Sequence, residues 1–83
     1  MSVYIGNLSD EIEDEDIRQV FLMYGSVKRI LVSTKQKSGD NRGFAIVEMD
    51  TDTEEVAAIN GLRGTEWMGY SLKNTANTVS LEN

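Results

Sequence analysis

Arg42-Gly43-Phe44-Ala45-Ile46-Val47-Glu48-Met49 is the stretch whose reading decides the fold. Aromatic and β-branched residues alternate with small and polar ones along it, the pattern of a β-strand. The period of two sorts the stretch into two faces. Ala45, Val47 and Met49 make an ordinary core set, while Phe44, Ile46 and Glu48 point the other way. A Phe and an Ile beside a charge, with Arg42 ahead of them, admit two readings. A helix can cover this face and make Phe44 core. Alternatively the face is open and suits a single-stranded nucleic acid, whose bases stack on rings and whose phosphates seek guanidinium groups.

Composition narrows the classes. The chain has 83 residues, enough for one domain and one thin core. It holds no Cys and no His, which removes thiolate metal sites and the commonest general base. No metal, cofactor or catalytic residue is expected. No apolar run reaches the roughly 18 residues of a membrane span, and no basic-then-apolar leader precedes the first strand. A soluble, cytoplasmic protein is expected. Net charge is −6, the opposite sign to the usual nucleic-acid binder. The charge is uneven, however. Asp10, Glu11, Glu13, Asp14, Glu15 and Asp16 crowd one segment, and Lys28, Arg29, Lys35, Lys37 and Arg42 crowd another, with Asp40 the sole acid among them.

Outward from the central stretch, Ser2 to Leu8 reads as a strand with Val3 and Ile5 on one face and Tyr4 on the other. A helix is predicted from about Asp14, because Ile17, Val20, Phe21 and Tyr24 recur at helical spacing. Acids in its first turn suit the helix dipole, and Gly25 is expected to cap its end. Val27 to Ser33 reads as a strand with Ile30 and Val32 inward and Arg29 and Leu31 outward. Thr34 to Asn41 is a polar, hairpin-like connection to the central stretch. Thr51-Asp52-Thr53-Glu54 fits a capping box that opens a second helix. Val56 and Ile59 are its expected stripe and Asn60-Gly61 its expected end. Trp67 is expected to cover the end of the helix layer. A weak last strand runs from about Tyr70 to Ala76, and residues 77–83 read as a loose tail.

The order β-α-β-β-α-β predicts an α+β, ferredoxin-like sandwich: a four-stranded antiparallel sheet with two helices on one face. The other face is then bare, and it carries Tyr4 and Phe44 on adjacent central strands. Apolar groups on an open face mark a binding surface.

Two motifs give the chain a family likeness. Residues 42–49 match five of seven specified positions of the octamer K/R-G-F/Y-G/A-F-V-x-F/Y of the RNA-recognition motif: Arg42, Gly43, Phe44, Ala45 and Val47. Val3-Tyr4-Ile5-Gly6-Asn7-Leu8 resembles the family's hexamer, and it precedes the octamer as the family requires. Phe21 to Val27, Ile59-Asn60-Gly61-Leu62 and Gly69-Tyr70-Ser71-Leu72 resemble further family segments. The likeness spans residues 2–76 and is similar to small stand-alone bacterial members.

The resemblance implies roles at matched positions. Tyr4 would stack under a base, Phe44 would sit among neighbouring sugars and bases, and Arg42 would hold a phosphate. Asn7 would shape the loop. Arg29, Leu31, Lys35, Lys37 and Lys73 would surround the site. Ile46 departs from the family, which puts a second aromatic there, so one stacking platform is weakened. Met49 departs at a core-facing position, and Asn74 takes a slot expected to be apolar. The expected partner is single-stranded RNA, with single-stranded DNA as a variant. The alternative is a protein-interaction module of the same family that uses the acidic first helix. Relatives of that kind carry an Arg-x-Phe before the last strand, where this chain reads Arg63-Gly64-Thr65-Glu66-Trp67.

Overall fold

Strands β1 (Val3–Leu8), β2 (Val27–Ser33) and β3 (Gly43–Met49) form where alternation predicts them. The structure, a computed structural model, describes residues 2–33 and 43–82. β1 and β3 pair antiparallel, with Tyr4 opposite Ile46 and Val3 opposite Val47. β2 lies antiparallel on the far side of β3, with Leu31 opposite Ile46 and Arg29 opposite Glu48. Val3, Ile5, Ala45, Val47 and Met49 are buried together with Ile17 and Phe21 of α1 (Asp14–Phe21) and Ala58, Ile59 and Leu62 of α2 (Asp52–Leu62). Both helices therefore feed one core on one face of the sheet, the α+β, ferredoxin-like plan.

The helix ends differ from expectation. α1 stops at Phe21, and bonds from Met23 N–H to the Val20 carbonyl and from Tyr24 N–H to the Phe21 carbonyl tighten the chain beyond it. Gly25 does not cap this helix. It makes a close approach instead, since a Cβ there would lie 2.5 Å from the Glu54 carboxyl carbon. Glu54 accepts from Thr51 N–H in the capping box of α2 and from Ser26 N–H, so one carboxylate joins the start of α2 to the turn before β2.

In α2 the buried stripe is Glu55, Ala58, Ile59 and Leu62, while Val56 is exposed. Two contacts set this rotation. Glu55 accepts from the Met49 N–H inside the core, and Gly61 faces Tyr24. A Cβ on Gly61 would fall 2.3 Å from Tyr24 Cε1, so the glycine admits the ring and does not stop the helix, which runs on to the buried Leu62.

The larger correction lies at the C-terminal end. A two-residue strand β4 (Glu66–Trp67) turns through Met68 and Gly69, both at positive φ, into β5 (Tyr70–Thr75). Trp67 is half-buried against the core, as expected. Residues 78–82 are not a loose tail. They form β6 (Thr78–Glu82), antiparallel to β5 and parallel to β1. The sheet therefore has six strands in the order β2-β3-β1-β6-β5-β4 and is mixed, not four-stranded and antiparallel. The physical reason is the seat beside β1. It is buried on the helix side, and β6 fills it with Val79 and Leu81, whereas β5 offers Leu72 and the polar Asn74. Side-chain bonds hold β6 there: Asn7 Nδ2 donates to the Leu81 carbonyl, and Asn77 Nδ2 donates to the Ser2 carbonyl. Asn74, moved outward with β5, donates through Nδ2 to the Ile59 carbonyl of α2.

Candidate nucleic-acid interface

The face opposite the helices is open. Alternation along β1 and β3 buries Val3, Ile5, Ala45 and Val47 and turns Tyr4 and Phe44 outward, at 41% and 38% exposure. The two rings stack, with centroids 5.7 Å apart and planes 15° from parallel. Gly6 makes room for this arrangement, since a Cβ there would approach Tyr4 Cε1 to 3.2 Å. Asn7 then takes φ 64°, a backbone setting Asn tolerates better than most residues, at the irregularity between Ile5 and Leu8. That irregularity lets the side-chain bond of Asn7 reach β6, so Asn7 shapes the sheet here.

Register extends the open face across five strands. Thr75, Thr78, Tyr4, Ile46 and Leu31 form one cross-strand row. Lys73, Ser80 and Gly6 form the next. Ile46 is half-buried between Tyr4 and the exposed Leu31. Arg29 Nη2 meets Glu48 Oε1 at 3.0 Å, a cross-strand ion pair on the same face. Exposed pairs of this kind contribute at most about 1 kcal/mol to stability.

Tyr4, Phe44, Ile46, Leu31 and Arg29 are thus brought together. Lys73 shares the face but sits farther out than the expected fold implies, because β6 intervenes. At the usual strand spacing, that places it roughly 10 Å from β1. Arg42, Lys35 and Lys37 lie outside the described residues. Sequence reasoning missed Thr78 and Ser80, which the strand β6 carries onto this face. Their signal was the alternation Thr78-Val79-Ser80-Leu81-Glu82. Among the described residues, Arg29 is paired with Glu48, and Lys73 lies opposite Ser80 on a strand that also turns Glu82 to this face, so the face is apolar with little net charge.

The acids of the first helix have local structural work. Glu13 N–H donates to Asp16 Oδ2 at 3.0 Å, and Gln19 Nε2 donates to Glu15 Oε2 at 2.7 Å. Asp14, Glu15 and Asp16 occupy the first turn, where the helix dipole favours negative charge. Among the described residues, no helix is long and apolar enough to cross a membrane.

Two aromatic side chains stacked on an uncovered sheet beside two packed helices define the comparison to make. The chain matches the family described as RNA recognition motif over residues 3–73. It belongs to that family. RbpF of Nostoc sp. is 59% identical over 73 residues, covering 88% of this chain and 70% of the relative. RbpA of Synechocystis sp. is 51% identical over 73 residues, covering 88% and 72%. Both are named for RNA binding. Among solved structures, the RNA-binding protein PG1 superposes with a TM-score of 0.72 at 34% identity, covering 86% of each chain. The Sxl-lethal protein, solved in complex with RNA, gives 0.69 at 25% identity, covering 98% of this chain and 46% of that one. In this RNA recognition motif, the matched region ends inside β5, so the whole of β6 lies beyond it.

Proposed function

We propose that this RNA-binding module holds single-stranded RNA on the open face of its sheet. One base stacks on Tyr4, the chain passes over Phe44, and a neighbouring base covers Ile46 and Leu31. Arg42, Lys35 and Lys37 supply phosphate contacts, with Lys73 farther along the strand's path and Arg29 at the edge of the surface beside Glu48. The observation that carries the reading is the exposed, stacked Tyr4–Phe44 pair on the helix-free side. Its role is binding, not catalysis.

Magnitudes set the strength. Each base-on-aromatic stack is worth about 1–3 kcal/mol, so two give about 2–6 kcal/mol. A dissociation constant of 1 mM corresponds to about −4.1 kcal/mol and 1 μM to about −8.2 kcal/mol. With few cations on the face among the described residues, micromolar or weaker binding is expected for one copy. Salt dependence is expected to be shallow, at about −0.7 in slope per phosphate neutralised.

The test is fluorescence anisotropy of a labelled, degenerate short RNA against the wild type and Tyr4→Ala/Phe44→Ala, at about 50 and 200 mM salt, the range over which phosphate contacts show themselves. The reading expects binding that the double substitution abolishes and that salt weakens only mildly. Equal binding by both proteins would sink it. A single-stranded DNA of matching length, run alongside, reports whether the 2′-hydroxyl matters.

A further inference from the structure

Next to Ile46 the open face dips into a depression of about 170 Å³, lined by Ser2, Arg29, Leu31, Ile46 and Glu48. Its parts divide by chemistry. Leu31 and Ile46 are cross-strand partners and make an apolar floor, with Leu31 57% exposed. Arg29 and Glu48 are the next open-face pair along the same two strands, joined at 3.0 Å. A flat, greasy floor suits a planar ring, and the wall beside it offers a carboxylate and a guanidinium side by side.

The wall is a poor seat for phosphate. Glu48 cancels the charge of Arg29 and repels an anion. For a base edge the pair is better suited. A carboxylate accepts only, through two oxygens with room for about four bonds, so the bond from Arg29 Nη2 to Oε1 leaves it able to accept more. Two neighbouring oxygens are matched by two neighbouring N–H donors. Guanine has that arrangement on its Watson–Crick edge, in N1–H and N2–H, with O6 next to them as an acceptor for the guanidinium. Adenine, cytosine and uracil each set a single donor group beside an acceptor, which would face a carboxylate oxygen unfavourably.

We infer that the depression is a guanine subsite: Ile46 and Leu31 carry the ring, Glu48 accepts from N1–H and N2–H, and Arg29 both orients Glu48 and donates to O6. The inference rests on the reading that single-stranded RNA lies on this face. It also gives the Ile46 position a purpose. A floor without π overlap binds any base weakly, so discrimination passes to the edge contacts. Hydrogen-bonding sites reject analogues that lack the matching donor, because the protein's own polar group is then left unpaired.

The test uses short labelled RNAs of uridine with one central guanosine, adenosine, cytidine or inosine. Inosine keeps O6 and N1–H but lacks the 2-amino group, so it probes the contact without touching the protein. The wild type is expected to prefer the guanosine strand by about five- to tenfold, the lower part of the range for a two-bond base contact. Inosine is expected to lose most of that preference. With Glu48→Gln, a near-isosteric change whose folding is checked by thermal melting, guanosine should fall to within about twofold of uridine, well inside one tenfold step of affinity. Equal wild-type affinity for all strands would overturn the inference, as would inosine binding as well as guanosine, or a preference that survives Glu48→Gln. If Tyr4→Ala/Phe44→Ala leaves binding intact, the open-face reading itself fails. If that variant loses binding while base preference ignores Glu48, only the guanine subsite fails.

Discussion

The two halves of the sheet are built on different terms. On one side, β1, β3 and β2 pair antiparallel, and each contributes an alternating face. On the other, β6 and β5 form a hairpin whose inner strand runs parallel to β1. The first half carries Tyr4, Phe44, Ile46 and Leu31. The second carries hydroxyls and Lys73, and its contact with β1 depends on Asn7 and Asn77 as well as on the ladder. The family match covers the first half and ends before β6. The lesson is that the surface proposed to hold RNA and the strand that supports its flank are separable. One half bears the groups suited to RNA. The other chiefly completes the core.

Substitutions can break this division, and the largest effect is expected in the supporting half. Leu81 is fully buried on β6, so Leu81→Ala should cost about 2–5 kcal/mol of stability, read by urea denaturation. A loose tail would show no change. Next comes the recognition half. Tyr4→Ala should weaken RNA binding by about 1–3 kcal/mol. It should shift thermal stability little, because the ring is already well exposed. Comparable losses of stability and affinity would show that the ring belongs to the core.

Smaller changes sharpen the picture of the hairpin. Asn74→Ala removes the buried bond to the Ile59 carbonyl and should cost about 1 kcal/mol, with RNA affinity held. Ala76 sits in the β5–β6 turn at φ 49°, a setting that glycine adopts without strain. Ala76→Gly should therefore raise stability by about 0.5–1 kcal/mol despite the added flexibility, seen as a higher denaturation midpoint. A destabilised Ala76→Gly would mean that the turn is not built this way.

How far the sequence could be read follows the same boundary. Alternation runs through Val3-Tyr4-Ile5, from Arg29 to Ser33 and from Gly43 to Met49, so the faces of Tyr4, Phe44, Arg29 and Leu31 could be assigned from parity alone. The capping box at Thr51 was legible because its side chains act within four residues. The rotation of α2 was not, because it is set by contacts outside the helix, to Met49 at the end of β3 and to Tyr24 far back in the chain. The sequence Thr78-Val79-Ser80-Leu81-Glu82 alternates too, yet it is short and follows Ala76-Asn77, a turn without glycine. Its place beside β1 is decided by competition with β5 for a buried seat, and Asn74 loses that competition to Val79 and Leu81. Parity put Arg29 and Glu48 on the open face but not opposite each other, because their pairing follows from the register of β2 against β3.

The most direct measurement is an amide chemical-shift titration of the protein with a short single-stranded RNA. The largest shifts are expected at Tyr4, Gly6, Leu31, Phe44, Ile46 and Glu48, with Thr78 and Ser80 next and the α1 residues Glu15 and Gln19 silent. Shifts centred on α1 with the open face unmoved would contradict the central claim that the bare side of the sheet is where RNA is held.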